Sequence, residues 1–399
     1  MFDRTEIIVG LEIGTAKVCA VVGELSEDEG LHVIGLGQSP TVGAVRKGEI
    51  INAEVAEDAV RAALNEAEQQ SDIEIGSVYL GVTGAHIKGF NNRGAHPIAS
   101  VGREIDDDDV SRVVRGAQPQ LPPDEEVLHT VRQHFRVDGQ DDVQQPVGRV
   151  ASKLEVDVHV VCGQRTRIQN PVRVVKGLGI DVEDVAFNGR VAALPILTSQ
   201  LGEQGALMVD LGAGTTEYSV YLGGSMCHTR VLAVGGEHVT NDLAVGMKLS
   251  QTRAERLKLE HGSAVPDPRV AHRAVNFSSD VGLDDKQVSV GHIQQIMHAR
   301  LDELFQLIRE DLDQHGLLRR INGSVLLTGG GARLPQINLL AQQVFELDVC
   351  LPHETDEAQE GGLLHAPECT AAMGLVKFGA RQVRARSHQR KGLLGWLTH

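Results

Sequence analysis

The sequence predicts an α/β fold made of two similar halves, with a phosphate-binding cleft between them. Two glycine-rich turns of the same kind support this prediction: residues 7–23 read IIVGLEIGTAKVCAVVG, and residues 207–223 read LMVDLGAGTTEYSVYLG. Each places an acidic residue, an apolar residue and a glycine between two strand-like apolar runs, which indicates a β-hairpin. A third glycine run, VLLTGGGARLPQI at residues 325–337, follows them and indicates a strand, a turn and a helix.

The hairpins are suited to phosphate, because successive backbone amides in a tight turn point into one concavity and glycine allows close approach. The acid before each turn, Glu12 or Asp210, can hold the water shell of Mg²⁺, a hard cation that prefers oxygen ligands. The third run is expected to open a helix, with Pro335 in its first turn, and helix N-termini suit ribose or phosphate. Taken alone, a GGG run is better explained as a structural turn.

Composition limits the class of protein. A chain of 399 residues with 41% apolar residues and a mean hydropathy of −0.12 is typical of a globular protein with more than one domain. The net charge of −16 argues against a nucleic-acid partner, because no basic excess displaces phosphate counterions. Five scattered cysteines without metal-site spacing indicate reduced thiols. The sequence shows neither a signal peptide nor an apolar stretch of about 20 residues that could span a membrane.

Periodicity places the remaining elements of the first half. The segment 53–70 is rich in alanine and glutamate at helical spacing, and the apolar run 77–83 reads as a buried strand. A more polar block, 84–161, is predicted to be an insertion that ends in a strand with alternating valines. Its acid run 106–109 favours a helix N-terminus over a metal site. The other predicted elements are a strand at 31–37, a helix at 166–178 and a strand at 180–186.

The second half repeats this pattern with longer helices. Residues 292–314 carry apolar side chains on one face, as an amphipathic helix does. Further helices are predicted through Glu255 and Lys258, at 334–345 and at 371–379, the last of which closes the nucleotide fold.

These motifs carry a family resemblance. In order, GLEIGTAKV, VDLGAGTTE, GGEHVTNDLA, AERLKLEHG and VLLTGGGA resemble the actin/Hsp70/sugar-kinase superfamily, and within it the FtsA family of bacterial cell-division proteins. Residues 129–148, HTVRQHFRVDGQDDVQQPVG, resemble the subdomain that is inserted in FtsA and absent from actin and Hsp70. The resemblance covers residues 6–377. It implies an actin-like duplicated fold with ATP and Mg²⁺ in the cleft between the halves.

The resemblance also implies a division into subdomains. Residues 1–83, 163–200 and 351–380 would form subdomain 1A, with the inserted subdomain 1C at 84–162. Residues 201–226 and 301–350 would form subdomain 2A, with subdomain 2B at 227–300. Residues 381–399 would be a basic linker followed by a C-terminal amphipathic helix.

Site residues follow by matching position in the family motifs. The implied nucleotide-binding residues are Gly14, Thr15, Ala16 and Lys17 in the first phosphate loop; Gly212, Ala213, Gly214, Thr215 and Thr216 in the second; Gly235 and Gly236; Glu255 and Lys258 beside adenine and ribose; and Gly329, Gly330, Gly331 and Ala332. Asp210 and Glu12 would hold Mg²⁺ through water. Lys17 can also be read as an exposed strand lysine, and Glu255 with Lys258 as a surface ion pair.

Hydrolysis is expected to be slow at best. The superfamily often positions the attacking water with a glutamate in the linking segment, and Gly189 stands at that position here. ATP is therefore expected to act as a conformational clamp.

The end of the chain predicts a membrane anchor. Arg390 and Lys391 precede four apolar residues that a helix would gather on one side: Leu393, Leu394, Trp396 and Leu397. One such tail should bind weakly, and an array of tails on a polymer firmly, because later contacts become intramolecular. A frayed terminus, or a helix docked on its own protein, is the alternative.

The function implied by the resemblance is to tether FtsZ filaments to the cytoplasmic face of the inner membrane at the division site. Such a protein self-assembles and recruits later division proteins. The C-terminal peptide of FtsZ would dock on the smaller subdomain of the second half, where Arg300 matches a family position. A pilus-assembly relative is the first alternative, which the tail disfavours. A small-molecule kinase is the second, and the sequence shows no motif for its general base.

Overall fold

The computed structural model describes residues 5–26, 30–98, 102–277, 286–352 and 366–395, with side chains up to residue 387. The strands are β1 (Glu6–Ile13), β2 (Lys17–Ser26), β3 (Gly30–Pro40), β4 (Val45–Arg46), β5 (Glu49–Ile50), β6 (Ser77–Val82), β7 (Lys88–Pro97), β8 (Glu125–Val137), β9 (Gln140–Val143), β10 (Lys153–Gln164), β11 (Asp181–Phe187), β12 (Ala206–Leu211), β13 (Thr216–Leu222), β14 (Ser225–Leu232), β15 (Ala274–Phe277), β16 (Lys286–Ser289), β17 (Ser324–Thr328) and β18 (Asp348–Cys350). The helices are α1 (Ala53–Ser71), α2 (Asp107–Gly116), α3 (Arg165–Gly177), α4 (Asn188–Val191), α5 (Ser199–Gln204), α6 (Gly236–Met247), α7 (Gln251–His261), α8 (Val290–Gln314), α9 (Ile337–Phe345) and the C-terminal helix Thr370–Gly395.

Two five-stranded sheets have the same topology. Their strand orders are β3-β2-β1-β6-β11 and β14-β13-β12-β17-β18, so each has an antiparallel meander followed by two parallel strands. The first hairpin pairs Glu6 with Leu25 at its open end, and the second pairs Ala206 with Tyr221. This equivalence confirms the predicted duplicated α/β fold.

The side chains of β1 point alternately to the two faces of the first sheet, and helices cover both faces. Val9, Leu11 and Ile13 pack with helices α1 and α3 on one face. Ile8 lies on the other face, where it packs with Leu375 and the rest of the buried side of the C-terminal helix. A strand buried on both faces reads as a continuous apolar run, which is the pattern of residues 7–13.

The long helix α8 forms the centre of the second half. Its apolar face is the predicted one, and the apolar side chains at most 2% exposed on the helix are Ile293, Met297, Leu301, Leu304, Phe305, Ile308 and Leu312. They pack against β12, α6 and α9 in one core, so the amphipathic pattern correctly located this helix.

The polar block forms its own antiparallel sheet of order β7-β10-β8-β9, with α2 packed against it. The acid run begins α2, as predicted: the Asp106 side chain accepts from the Asp109 amide, and Asp109 accepts in return from the Asp106 amide. Arg103 donates two 2.7 Å hydrogen bonds to the Asp109 carboxylate, so these acids stabilise a helix start.

Two predicted boundaries are wrong. The last helix does not end at residue 379 but continues from Thr370 to Gly395, because no proline interrupts the chain after Gly379 and basic residues tolerate a solvent-exposed helix. Pro335 does not open α9; a single 3₁₀ turn, Gly330–Arg333, follows Gly329, and the Pro335 carbonyl accepts from the Ala264 amide. Among the described residues, no helix has both the length and the apolar character needed to cross a membrane.

Candidate functional site

A cavity of about 430 Å³ lies between the two five-stranded sheets. The predicted residues that line it are Glu12, Gly14, Thr15, Ala16, Lys17, Asp210, Gly212, Ala213, Gly214, Thr215, Gly236, Glu255, Lys258, Gly329, Gly330 and Gly331. Thr216, Gly235 and Ala332 do not line it, because they are buried behind its wall. Thr216, for example, donates its hydroxyl hydrogen to the Val234 carbonyl at 2.8 Å.

The two hairpin turns have the same internal hydrogen bond. The Gly14 amide donates to the Lys17 carbonyl at 2.9 Å, and the Gly212 amide donates to the Thr215 carbonyl at 3.0 Å. The turns also touch each other, since a Cβ atom on Gly214 would lie 2.4 Å from Thr15 Oγ1. The cavity is therefore bounded by two equivalent loops that meet at one edge.

Lys17 is not an exposed strand lysine. Its half-buried ammonium donates to Gln38 Oε1 at 2.9 Å and lies 3.5 Å from Cys369 Sγ. Both partners are neutral or weakly anionic, so the cation still faces the cavity with charge to offer an anion.

Three carboxyl groups face one another on the cavity floor. Burial, and then the Glu217 carboxylate, raise the pKa of Glu12 to about 8, and burial raises the pKa of Glu217 to about 6. Burial and the two neighbouring glutamates hold the pKa of Asp210 well above its usual range. Thr215 donates to Glu217 at 3.1 Å, and Asn188 donates to Glu12 at 3.2 Å. This all-oxygen cluster is one that a hard divalent cation would stabilise.

Helix α7 contributes the opposite end of the cavity. Lys258 is 9% exposed, and its ammonium lies 2.7 Å from Glu255 Oε2 and donates to Thr240 Oγ1 at 2.9 Å. The alternative interpretation of Glu255 and Lys258 as a surface ion pair is therefore wrong for Lys258. Leu259, which is 72% exposed, lines the cavity beside them and offers an apolar face.

The third glycine run approaches the floor from β17. Gly329 has φ +79°, its amide donates to the Pro367 carbonyl at 3.0 Å, and a Cβ atom there would lie 2.3 Å from Asp210 Oδ1. Only glycine fits that conformation and that contact. Gly330 is different, because its nearest neighbour would be Glu368 Cβ at 3.9 Å.

Sequence reasoning did not select Thr83, Asn188 or Gln38, which also line the cavity. Thr83 follows β6, and Asn188 follows β11. Ligand sites of open α/β sheets lie beyond the carboxyl ends of parallel strands, so a polar residue directly after a buried strand was the available signal. Gln38 gives no such signal, since it lies within β3.

The inserted sheet reaches the segment that enters the cavity floor. His129 of β8 is buried, and its Nε2 accepts from the Phe187 amide at 2.9 Å, one residue before Asn188. Burial, and then the charge of Arg190, hold the pKa of His129 well below its ordinary value. The neutral imidazole therefore couples the insertion to the linking segment.

Acid is expected to weaken this junction. A histidine whose folded pKa is depressed stabilises the fold above its unfolded pKa of about 6.5, and that contribution is lost as the pH falls below it. His129→Gln keeps a hydrogen-bond acceptor and removes the titrating imidazole. Between pH 7.5 and pH 5.5, the melting temperature of this variant should therefore fall less than that of the wild type. His292→Gln, at an exposed position, is the control and should follow wild type. Equal pH slopes for wild type and His129→Gln would contradict the prediction.

Two predicted interaction sites lie away from the cavity. Arg300 Nε donates to Asp242 Oδ2 at 2.5 Å, and its guanidinium also pairs with Glu303. Its side chain is 30% exposed. Of the predicted membrane residues, Trp396 and Leu397 lie outside the described residues. Arg390, Lys391, Leu393 and Leu394 lie where the backbone of the C-terminal helix alone is described.

Two equivalent mixed sheets, each with a phosphate-loop hairpin at the same place and a cavity between them, define an actin-like protein. The family model described as cell division protein FtsA matches residues 207–374, and the model of the SHS2 domain inserted in FtsA matches residues 84–162. The cell division protein FtsA of Borreliella burgdorferi is 34% identical over 94% of this chain and 91% of that protein. The chain belongs to the FtsA family of cell-division proteins.

Solved structures agree with this fold. The PilM–PilN type IV pilus biogenesis complex matches with a TM-score of 0.64 and 17% identity, over 94% of this chain and 98% of that chain. MreB5 of Spiroplasma citri bound to AMPPNP matches with a TM-score of 0.58 and 15% identity, over 97% and 99%. At such identities the likeness shows the actin-like fold alone, so the FtsA relatives decide the family.

Proposed function

We propose that this FtsA-family protein binds ATP with Mg²⁺ in its cleft and tethers FtsZ filaments to the cytoplasmic face of the inner membrane. One observation carries the nucleotide proposal: two equivalent amide-lined turns meet across a cavity of about 430 Å³ that contains Lys17 and three carboxyl groups. An anion held by both turns would bridge the two halves, which is how ATP would act as a clamp.

The residues present fit a hydrated Mg²⁺. Asp210 and Glu12 offer oxygen atoms, and Asn188 Oδ1 is buried without a hydrogen-bond partner among the described residues, so a water ligand could donate to it. The cation would supply charge neutralisation between the carboxylates and the phosphates. The chain's own residues would orient the ligand: the turn amides and Lys17 at the phosphates, and Glu255, Lys258 and Leu259 at the ribose and base. MreB5, which shares the fold, was solved with AMPPNP.

Slow turnover at most is part of the proposal. A side chain at position 189 has no room, since a Cβ atom there would lie 2.7 Å from Phe187 Cζ and 3.0 Å from Glu217 Cβ. The water-positioning glutamate of the superfamily therefore has no counterpart at that position.

Membrane attachment would use the end of the C-terminal helix, and self-assembly would multiply a weak contact. Full-length protein with ATP and FtsZ should co-sediment with vesicles containing anionic lipid about tenfold more than a chain ending at Ser387. That truncation keeps the buried part of the helix, including Phe378 and Ala380. Equal sedimentation of both chains would contradict the anchor.

The FtsZ peptide is proposed to dock on the α6–α8 surface, where Arg300 pairs with Asp242 and the exposed Val245 lies three residues after Asp242 on α6. Arg300→Met should weaken binding of the FtsZ C-terminal peptide about tenfold, a loss of about 1.4 kcal/mol, because it removes the cation and keeps the apolar stem. ATP affinity should not change. Arg309→Met is a matched control on the same helix, ion-paired and 29% exposed. An unchanged peptide affinity in Arg300→Met, measured by fluorescence anisotropy, would remove Arg300 from the docking surface.

A further inference from the structure

Two cysteines that are far apart in sequence meet beneath the first phosphate loop. Cys19 lies on β2, and Cys369 lies directly before the C-terminal helix; both are 1% exposed and belong to one core cluster. Cys19 is the cross-strand partner of Gln38, whose side-chain amide donates to Cys369 Sγ at 2.9 Å. Directly opposed residues of an antiparallel pair project from the same face, so Gln38 and Cys19 both face Cys369.

The surroundings favour a nucleophilic sulfur at Cys369. The Gln38 side-chain amide and the Lys17 ammonium both contact Cys369 Sγ, at 2.9 Å and 3.5 Å. The Cys19 thiol, and then the Lys17 charge, lower the pKa of Cys369, although burial opposes them. A thiolate is the reactive form of cysteine, and a neighbouring thiol can resolve its first oxidation product.

We propose that Cys19 and Cys369 form a redox-active dithiol, which peroxide converts to a disulfide that joins β2 to the start of the C-terminal helix. In the first step Cys369 sulfur attacks one peroxide oxygen, an S–O bond forms, the O–O bond breaks, and water leaves after taking up a proton. In the second step Cys19 sulfur attacks Cys369 sulfur, the S–S bond forms, the S–O bond breaks, and a second water leaves. Two thiols are oxidised by two electrons, and one hydrogen peroxide is reduced to two waters.

The cavity gives the oxidant its route. Four neighbours of Cys369 line this cavity. Lys17 and Gln38 contact the Cys369 sulfur, and Pro367 and Glu368 directly precede Cys369 in the sequence. The disulfide would also convert the sulfur that accepts from Lys17 from a titratable thiol to a neutral disulfide, so oxidation would alter a contact of the first phosphate loop. Cys162 is equally buried but lies in the inserted sheet, with its sulfur 3.8 Å from Glu125 Oε2, and serves as a comparison.

The test uses full-length native protein, one equivalent of hydrogen peroxide, alkylation of the remaining thiols and mass spectrometry of the peptides. The expected product is a linked pair of peptides containing Cys19 and Cys369, lighter by two hydrogen atoms. It should persist in Cys162→Ser and disappear in Cys19→Ser and Cys369→Ser. In Cys19→Ser, dimedone should trap a sulfenic acid on Cys369; in Cys369→Ser, it should label Cys19 at least about fivefold more slowly.

Alkylation of both thiols after peroxide treatment, or linkage of either to another cysteine, would overturn the pairing. Cys19→Ala and Cys369→Ala provide a second variant of each position, should either serine variant fold poorly. A second readout rests on the proposed nucleotide binding: saturating ATP with Mg²⁺ should slow disulfide formation at least about fivefold. An unchanged rate in protein that binds ATP by calorimetry would overturn the route through the cavity, whereas absence of ATP binding would count against the proposed function.

Discussion

Gly329→Ala is expected to lower ATP affinity at least about 100-fold, a loss of about 2.7 kcal/mol. The new Cβ atom would lie 2.3 Å from Asp210 Oδ1 and 2.6 Å from the Leu211 carbonyl oxygen, at a backbone φ of +79°. With a ψ of 169°, this backbone conformation is essentially open to glycine alone and costs another residue about 1–3 kcal/mol. Overpacking costs about 1–3 kcal/mol more. The loop can relieve both by moving away from β12, which shifts Gly330 and Gly331 of the cavity wall relative to Asp210. Calorimetric titration with ATP and Mg²⁺ measures the loss.

Gly330→Ala is the matched control. It adds the same methyl group to the adjacent residue of the same loop, where the nearest atom is Glu368 Cβ at 3.9 Å and φ is not positive. Because Gly330 itself lines the cavity, the two variants are compared by stability without nucleotide, and the melting temperature of Gly330→Ala should remain close to wild type, within about 0.5 kcal/mol. Equal losses of stability in the two variants would show that the loop responds to any side chain, and the specific contact with Asp210 would then not matter.

Asp210→Asn is expected to stabilise the nucleotide-free protein while removing Mg²⁺-dependent ATP binding. Asp210 is 7% exposed and faces two other carboxyl groups, which together with burial raise its pKa. A neutral side chain of the same shape removes that unfavourable charge, for a gain of about 1–2 kcal/mol near neutral pH. The advantage should shrink as the pH falls, because the wild-type carboxyl then takes up a proton and its stability returns. Thermal denaturation with and without ATP and Mg²⁺ measures both effects.

Asp311→Asn is the control with the opposite sign. Asp311 is also buried, but it accepts from Tyr218 at 2.6 Å, contacts His228 Nε2 at 2.7 Å and pairs with Arg230, and these partners lower its pKa. Asparagine keeps one acceptor oxygen but replaces the other with an amide donor, so at least one of these partners loses its acceptor and the charge is lost, which should destabilise the protein by about 2–4 kcal/mol. A lower melting temperature for nucleotide-free Asp210→Asn than for wild type would contradict the repulsion on the cavity floor.

Much of the fold was predictable because its signals are local. Each phosphate-loop hairpin contains its apolar runs, its acid and its glycine within seventeen residues, and α8 shows its buried face in its own periodicity. Gly329 was also predicted from a local signal. Its positive φ, directly after a buried strand, requires a glycine, and that glycine is visible in the sequence.

The features that sequence reasoning missed depend on contacts between distant segments. Cys369 and Lys17 are 352 positions apart, and no spacing rule relates them. Gln38 reaches the cavity only because β3 pairs with β2. The end of the C-terminal helix was missed for another reason: Gly379 resembled a terminator, but its missing side chain instead allows close contact with Ile8 and Tyr79.

That continuous helix has a mechanical consequence. Its first turn contributes Ala371 to the cavity wall, and its 26 residues extend about 39 Å to Gly395, which lies within the predicted membrane-binding end. A continuous helix transmits a change in its tilt or rotation along its length, whereas a flexible linker would not. If the end of this helix binds lipid as proposed, the angle at which the protein body stands over the lipid surface and the spacing of the cleft walls would be linked through one continuous helix.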